Sequence, residues 1–173
     1  MTKTEFIEKY SISDTVPVDP SKKALPAAGL SSAISEFMEC KFEGITKVIC
    51  GKIPSMPIII SAEYTAFFFK MLMTNLYGRA MLSFEISNDE KALNIFIKSD
   101  IALPLSDSNL RDLIRIARNA GFHITLSEKE IDLSVAFSPV AIHRVYTVSI
   151  LDGKRIMLSK FVEIFSHGEL MKD

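Results

Sequence analysis

Between Ala62 and Met81 lies a run with no continuous polar face: Phe67, Phe68, Phe69, Met71, Leu72, Met73, Leu76 and Tyr77. Ser61 stands before it as a predicted N-cap, where a hydroxyl accepts from an N–H of the first turn. A helix that is apolar nearly all round has to be packed on several sides. The stretch from Pro57 to Leu82 also holds Glu63, Lys70 and Arg79, with Ser61, Thr74 and Asn75 between them. That punctuation describes a buried core helix and not a membrane span.

What flanks this helix follows from the spacing around it. Leu82, Phe84 and Ile86 alternate, Asn88-Asp89 turns the chain, and Leu93, Ile95 and Ile97 alternate again. This is a β-hairpin pattern. A second hairpin places Ile124 and Leu126 opposite Ile131, Leu133, Val135 and Phe137. Between the two, a helix is predicted from about Ser108, with Leu110, Leu113, Ile114 and Ala117 on one face and Gly121 as its C-cap. Upstream, Leu30, Ile34, Phe37 and Met38 give a helix over 30–38, with Ser31 or Ser32 near its start. Phe42–Cys50 and Ile58–Ile60 read as strands, with a turn over Gly51–Pro57. One mixed sheet with helices on one face, a two-layer α+β sandwich, buries all these faces together.

The ends are read separately. Thr4–Tyr10 forms one amphipathic turn, and Thr15–Pro26, with Pro17, Pro20 and Pro26, is an extended linker. Beyond Pro139, His143–Leu151 reads as a strand and Asp152-Gly153 as a turn. Leu158, Phe161, Val162 and Phe165 mark a terminal helix. The expected organisation is therefore a segment and linker over 1–28, a domain over 29–139 and a strand–helix extension over 140–173. The chain's 173 residues, 48% of them hydrophobic, suit one well-filled domain. A net charge of −1 supplies no basic field for nucleic acid. Cys40 and Cys50 match no zinc or redox spacing and read as two buried thiols. The N-terminus lacks an apolar signal core, so a cytoplasmic location is expected.

The order of elements from Leu30 to Pro139 resembles the ATP-binding domain of histidine kinases and their relatives, the GHKL or Bergerat-fold ATPases. The trace is most specific in Asn75-Leu76-Tyr77-Gly78-Arg79-Ala80, which is similar to that family's N-box. Asn75 and Ala80 match the pattern. Arg79 stands where the family has a second Asn, the magnesium ligand. The strand Leu93–Ile97 resembles the one leading to the family's adenine-binding Asp-Asn-Gly, and those positions here read Ser99, Asp100, Ile101. Ile116-Ala117-Arg118-Asn119-Ala120-Gly121 and the hairpin ending Phe137-Ser138-Pro139 resemble the closing helix and sheet. The resemblance implies a histidine-kinase-like fold with a shortened ATP lid, and it makes Asn75, Arg79 and Ser99 the candidate cofactor-binding residues.

The departures weigh against ATP. The family's lid is long and rich in glycine, so that backbone N–H groups wrap the phosphates. Here Ile101–Asp107 alone joins strand to helix, with Pro104, no glycine, and Asp107 at the helix start. Ser99 is a weaker acceptor for an adenine amino group than a carboxylate. Asp100 is one residue out of phase on a period-two strand. A cation at the magnesium position is opposed by roughly 4 kcal/mol per unit-charge pair at 4 Å and intermediate dielectric. No cofactor is therefore expected, and Mg-ATP is expected only if the chain is a divergent enzyme.

Other groups carry weaker signals. Arg111, Arg115 and Arg118 share a helix face at i, i+4 and i+7, which suits a phosphate or an acidic partner as well as a solvated surface. Arg79 suits either a phosphate contact or a helix-end cation. Asn75 is either a site residue or a satisfied structural amide facing a loop. His123, His143 and His167 lack metal-ligand spacing, and no nucleophile signature accompanies them. No helix carries a phosphoacceptor His motif, so a complete histidine kinase is not expected. The expectation is a non-catalytic module of bacterial-type signalling that binds a protein partner. The alternatives are a divergent ATPase or anti-sigma-type serine kinase, and a small-ligand sensor using the old adenine cavity. Leu158, Phe161, Val162 and Phe165 are expected to cover either their own domain or a second copy, the homodimer being preferred.

Overall fold

The computed structural model describes residues 22–41, 44–138 and 150–166. Its elements are β1 (Lys23–Pro26), α1 (Ala27–Lys41), β2 (Ile45–Cys50), β3 (Pro57–Ile60), α2 (Ala62–Leu76), β4 (Leu82–Asn88), β5 (Ala92–Ser99), α3 (Asp107–Ala120), β6 (His123–Leu126), β7 (Glu130–Ala136) and α4 (Ile150–Ser166). Both predicted hairpins fall in one five-stranded sheet of order β2-β4-β5-β7-β6. β2 runs parallel to β4 and the other neighbours are antiparallel. The register sets Phe84 opposite Ile97, Ile97 opposite Ile131, and Leu133 opposite Ile124. Period-two alternation thus puts one row of aliphatic and aromatic side chains on a single face. The mixed α+β architecture is the one expected.

A separate pair, β1 and β3, is antiparallel with Leu25 opposite Ile58, and Ile58 bridges to Phe137 just past β7. The Pro-containing segment expected to be a linker is in this part a strand, and Leu25 is buried. Residues 15–21 and the turn expected over Thr4–Tyr10 lie outside the described residues. Helix α1 starts at Ala27 and not near Leu30. Ser31 is inside it, its hydroxyl donating to the Ala27 carbonyl at 2.8 Å. Leu30, Ile34, Phe37 and Met38 form its buried stripe as the spacing predicts.

Rings carry the packing between layers. Phe69 of α2 lies 6.3 Å from Phe84 of β4 and 5.9 Å from Phe161 of α4, by ring centroid. Phe161 stacks on Phe37 of α1 at 5.4 Å, and Phe37 meets Phe165 at 5.0 Å. Leu158, Phe161 and Phe165 are fully buried and Val162 nearly so. The face preferred for a second copy is therefore filled by the chain's own core, because α4 packs against α1 and α2. The turn expected at Asp152-Gly153 is also corrected, since both residues lie in α4, as do Ile150 and Leu151 of the expected strand. The rest of that strand, with His143, and His167 lie outside the described residues. Gly153 is there for close approach: a Cβ on it would collide with the Pro26 ring. Two further corrections follow from topology. Phe67 is 43% exposed, so α2 keeps one open face. Cys50 is exposed because it ends β2, an edge strand.

The other face of the large sheet is polar. Lys98 reaches Glu85 at 3.5 Å and Glu130 at 3.8 Å. Asp132, opposite Phe96 and Thr125, has its Oδ1 buried with no hydrogen-bond partner among the described residues. Partial burial first, and the neighbouring Glu130 second, push its carboxyl above the ordinary value of 3.8, against a smaller opposing effect of Lys98. A carboxyl raised by folding contributes stability that is present at low pH and lost as pH rises through the raised value. Asp132→Asn is expected to raise the urea midpoint at pH 7 and to leave it nearly unchanged at pH 3, and a larger gain at pH 3 would contradict the assignment. For the ring chain, Phe161→Ala is expected to cost about 3–5 kcal/mol in chemical denaturation, in line with large-to-small changes in closed cores. A loss under about 1 kcal/mol would place α4 outside the cooperative core.

Candidate functional site

The end of α2 is set by its sequence. The Ser61 hydroxyl accepts from the Tyr64 N–H at 3.3 Å, which starts the helix as predicted. The helix stops at Leu76, five residues earlier than expected. Tyr77 donates its N–H to the Met73 carbonyl, and Gly78 takes a left-handed φ of 72°. A β-carbon disfavours that region, so the glycine turns the chain here. Asn75 therefore sits in the last turn, and Arg79 lies past the helix and not within it.

Both ends of the Asn75 side chain are engaged. Its Nδ2 donates to the Met71 carbonyl at 2.8 Å, and its Oδ1 accepts from Nδ2 of Asn109 at 2.9 Å. Asn109 occupies the first turn of α3, where its own N–H donates to the Ser106 hydroxyl at 3.1 Å. An amide pair thus ties the C-terminal end of α2 to the N-terminal end of α3. Arg79 is exposed, and its Nη1 lies 3.4 Å from the Asn75 carbonyl. A cation beside the last carbonyls of a helix is favoured by the helix dipole.

Ser99 closes β5. Its N–H donates to the Lys129 carbonyl at 2.8 Å, and its hydroxyl accepts from the Ile101 N–H at 3.3 Å. The Asp100 carboxylate accepts from the Met81 N–H at 2.9 Å, while its own N–H donates to the Met81 carbonyl. Asp100 therefore clamps the start of β4. The connection to α3 is anchored as well, with the Leu103 N–H donating to Glu128 at 2.8 Å and Leu103 and Leu105 packed against the core.

These contacts bring the three candidate residues to one end of the sheet. A cavity of about 300 Å³ is lined by Gly44, Tyr77, Gly78, Arg79, Ala80, Met81 and Asp100. Neither Asn75 nor Ser99 lines it. Asn109 was missed by sequence reasoning although a signal existed: it lies on the same helical stripe as the buried Leu113, Ala117 and Ala120. A polar amide at the head of an apolar stripe calls for a polar partner. His123 is exposed in β6. Among the described residues no group of His, Cys, Asp and Glu could hold a metal ion, and no helix is long and apolar enough to cross a membrane.

No protein-family model and no curated protein sequence matches the chain. Among solved structures it is similar to the Acinetobacter baumannii histidine kinase AdeS, at 9% identity and a TM-score of 0.47, over 78% of this chain and 76% of that one. It is similar to the cytoplasmic segment of histidine kinase QseC at 11% identity and a TM-score of 0.41, over 78% and 89%. A histidine kinase from Burkholderia phymatum gives 13% and 0.43, over 67% and 72%. At these identities and TM-scores the likenesses say nothing of the site, and what it can do rests on the residues just described.

The amide pair makes a quantitative expectation. A double-mutant cycle with Asn75→Ala and Asn109→Ala is expected to give a coupling of about 1 kcal/mol in urea denaturation, the usual net worth of a neutral hydrogen bond. Additive losses would mean that the two amides do not meet in solution.

Proposed function

We propose that this chain is a non-catalytic, histidine-kinase-like domain that acts as a protein-interaction module in bacterial-type signalling. The observation that carries the reading is the Asn75–Asn109 hydrogen bond across the mouth between α2 and α3. The matching Asn of an N-box is implied by resemblance to face the nucleotide. Here its amide is already committed on both sides.

Two further features support the reading. Backbone N–H groups that would cradle phosphate are engaged: Leu103 with Glu128, Ile101 with Ser99, and Asn109 with Ser106. The start of α3 also carries Asp107, whose charge opposes an anion at a helix N-terminus that would otherwise favour one. A divergent ATPase or serine kinase would have to break the amide pair and release the connection before Mg-ATP fitted.

A second reading, a small-ligand sensor, draws on one specific observation. Tyr77, Ala80 and Met81 give the 300 Å³ cavity an apolar part beside Arg79 and Asp100. That volume is at the lower end for small-molecule sites, and the cavity opens to solvent. The interaction module is favoured because its supporting contacts are closed and mutually consistent.

The test is isothermal calorimetry with ATP and ADP, with and without magnesium. No saturable heat is expected up to millimolar nucleotide, a limit corresponding to about −4 kcal/mol. Micromolar binding would overturn the reading and restore the enzyme.

A further inference from the structure

The outer face of α3 is the strongest unused feature of the molecule. Leu113, Ala117 and Ala120 turn inward and are buried, which leaves Arg111, Arg115 and Arg118 exposed on the opposite side. Together with Ile114 and Asn119 they line one recess of about 460 Å³. Three arginines stand along eight residues, and the seven steps from the first to the last rise roughly 10 Å along the helix. Only one acidic contact offsets them among the described residues, Asp112 with Arg115 at 3.3 Å. That pair is exposed and holds the arginine weakly. Arg118 is placed in the last turn, where the helix dipole favours a cation. The dipole gives no reason for Arg111, which lies near the other end. Ile114, expected on the apolar face with Leu113, is half-buried against the core, yet it also lines the recess and supplies an apolar spot beside the charges.

We propose that this face docks an acidic, amphipathic helical segment of a partner protein, with carboxylates on Arg111, Arg115 and Arg118 and one apolar side chain on Ile114. Planar guanidinium groups bind carboxylates through paired N–H donors. Their i, i+4, i+7 spacing matches carboxylates at the same spacing on a helix laid alongside. Nucleic acid is the poorer occupant, since the face has no aromatic side chain to stack a base and the chain's net charge is −1. The inference rests on reading the chain as an interaction module, and the two fail separately. Nucleotide binding is read by calorimetry with no peptide present, and docking is read with no nucleotide present.

The probe is a synthetic helical peptide with Glu at i, i+4 and i+7 and a Leu between them. Its control carries Lys at the three Glu positions. Fluorescence anisotropy at low and moderate salt is expected to show binding of the Glu peptide that weakens as salt rises, and none of the Lys peptide. The triple variant Arg111→Glu, Arg115→Glu, Arg118→Glu is expected to lose at least tenfold in affinity for the Glu peptide and to gain binding of the Lys peptide. Its circular dichroism and urea midpoint, compared with the unaltered chain, establish that it folds. Should it not fold, Arg111→Gln and Arg115→Gln singly are each expected to weaken the Glu peptide at least threefold. No binding of the Glu peptide at millimolar concentration, binding indifferent to the arginines, or stronger binding of a single-stranded oligonucleotide than of the peptide would each overturn the proposal.

Discussion

A chain of phenylalanine rings holds this molecule together. It runs from Phe84 in the sheet to Phe69 in α2, on to Phe161 in α4 and to Phe37 in α1. Each ring removes a large apolar area from water, and edge-on or offset contacts add to that burial. Because α4 takes one flank of α2, α3 packs on a separate flank of the same helix. That placement brings the first turn of α3 to the last turn of α2, where Asn109 meets Asn75. The polar closure of the site is thus a consequence of how the apolar core is filled.

The closure also defines the chemistry left at this end of the sheet. A phosphate-binding lid works through N–H groups that are free to turn toward an anion. In this chain the short connection after β5 uses such groups internally, and Leu103 and Leu105 pin it to the core. Asp100, which stands at one of the positions that the resemblance aligns with adenine binding, serves the Met81 N–H. Away from this end of the sheet, Arg111, Arg115 and Arg118 stand exposed on the outer face of α3.

Much of the architecture was legible in the sequence because local periods carry it. The two hairpins were readable from alternation, and Ser61 and Gly121 marked helix ends through chemistry confined to one turn. The failures share a cause, which is that long-range contacts have no local signature. Asp152-Gly153 has the composition of a turn, but Gly153 is needed to let α4 close on Pro26. Cys50 reads as buried until β2 is known to be an edge. In the site, Asn75 was identifiable as a polar residue in an apolar helix. Its partner 34 positions away was not paired with it, although Asn109 on a buried stripe gave half of the answer. The clamp between Asp100 and Met81 has no sequence pattern at all.

Amide hydrogen exchange on the connection between β5 and α3 tests the central claim most directly. A pinned connection predicts that the Leu103 N–H, bonded to Glu128, exchanges slowly, and that adding Mg-ATP leaves it unchanged. A mobile lid predicts the reverse, with fast exchange of Leu103 and its neighbours that slows when Mg-ATP is added. The first result would establish a cleft closed by its own hydrogen bonds, and the second would contradict it.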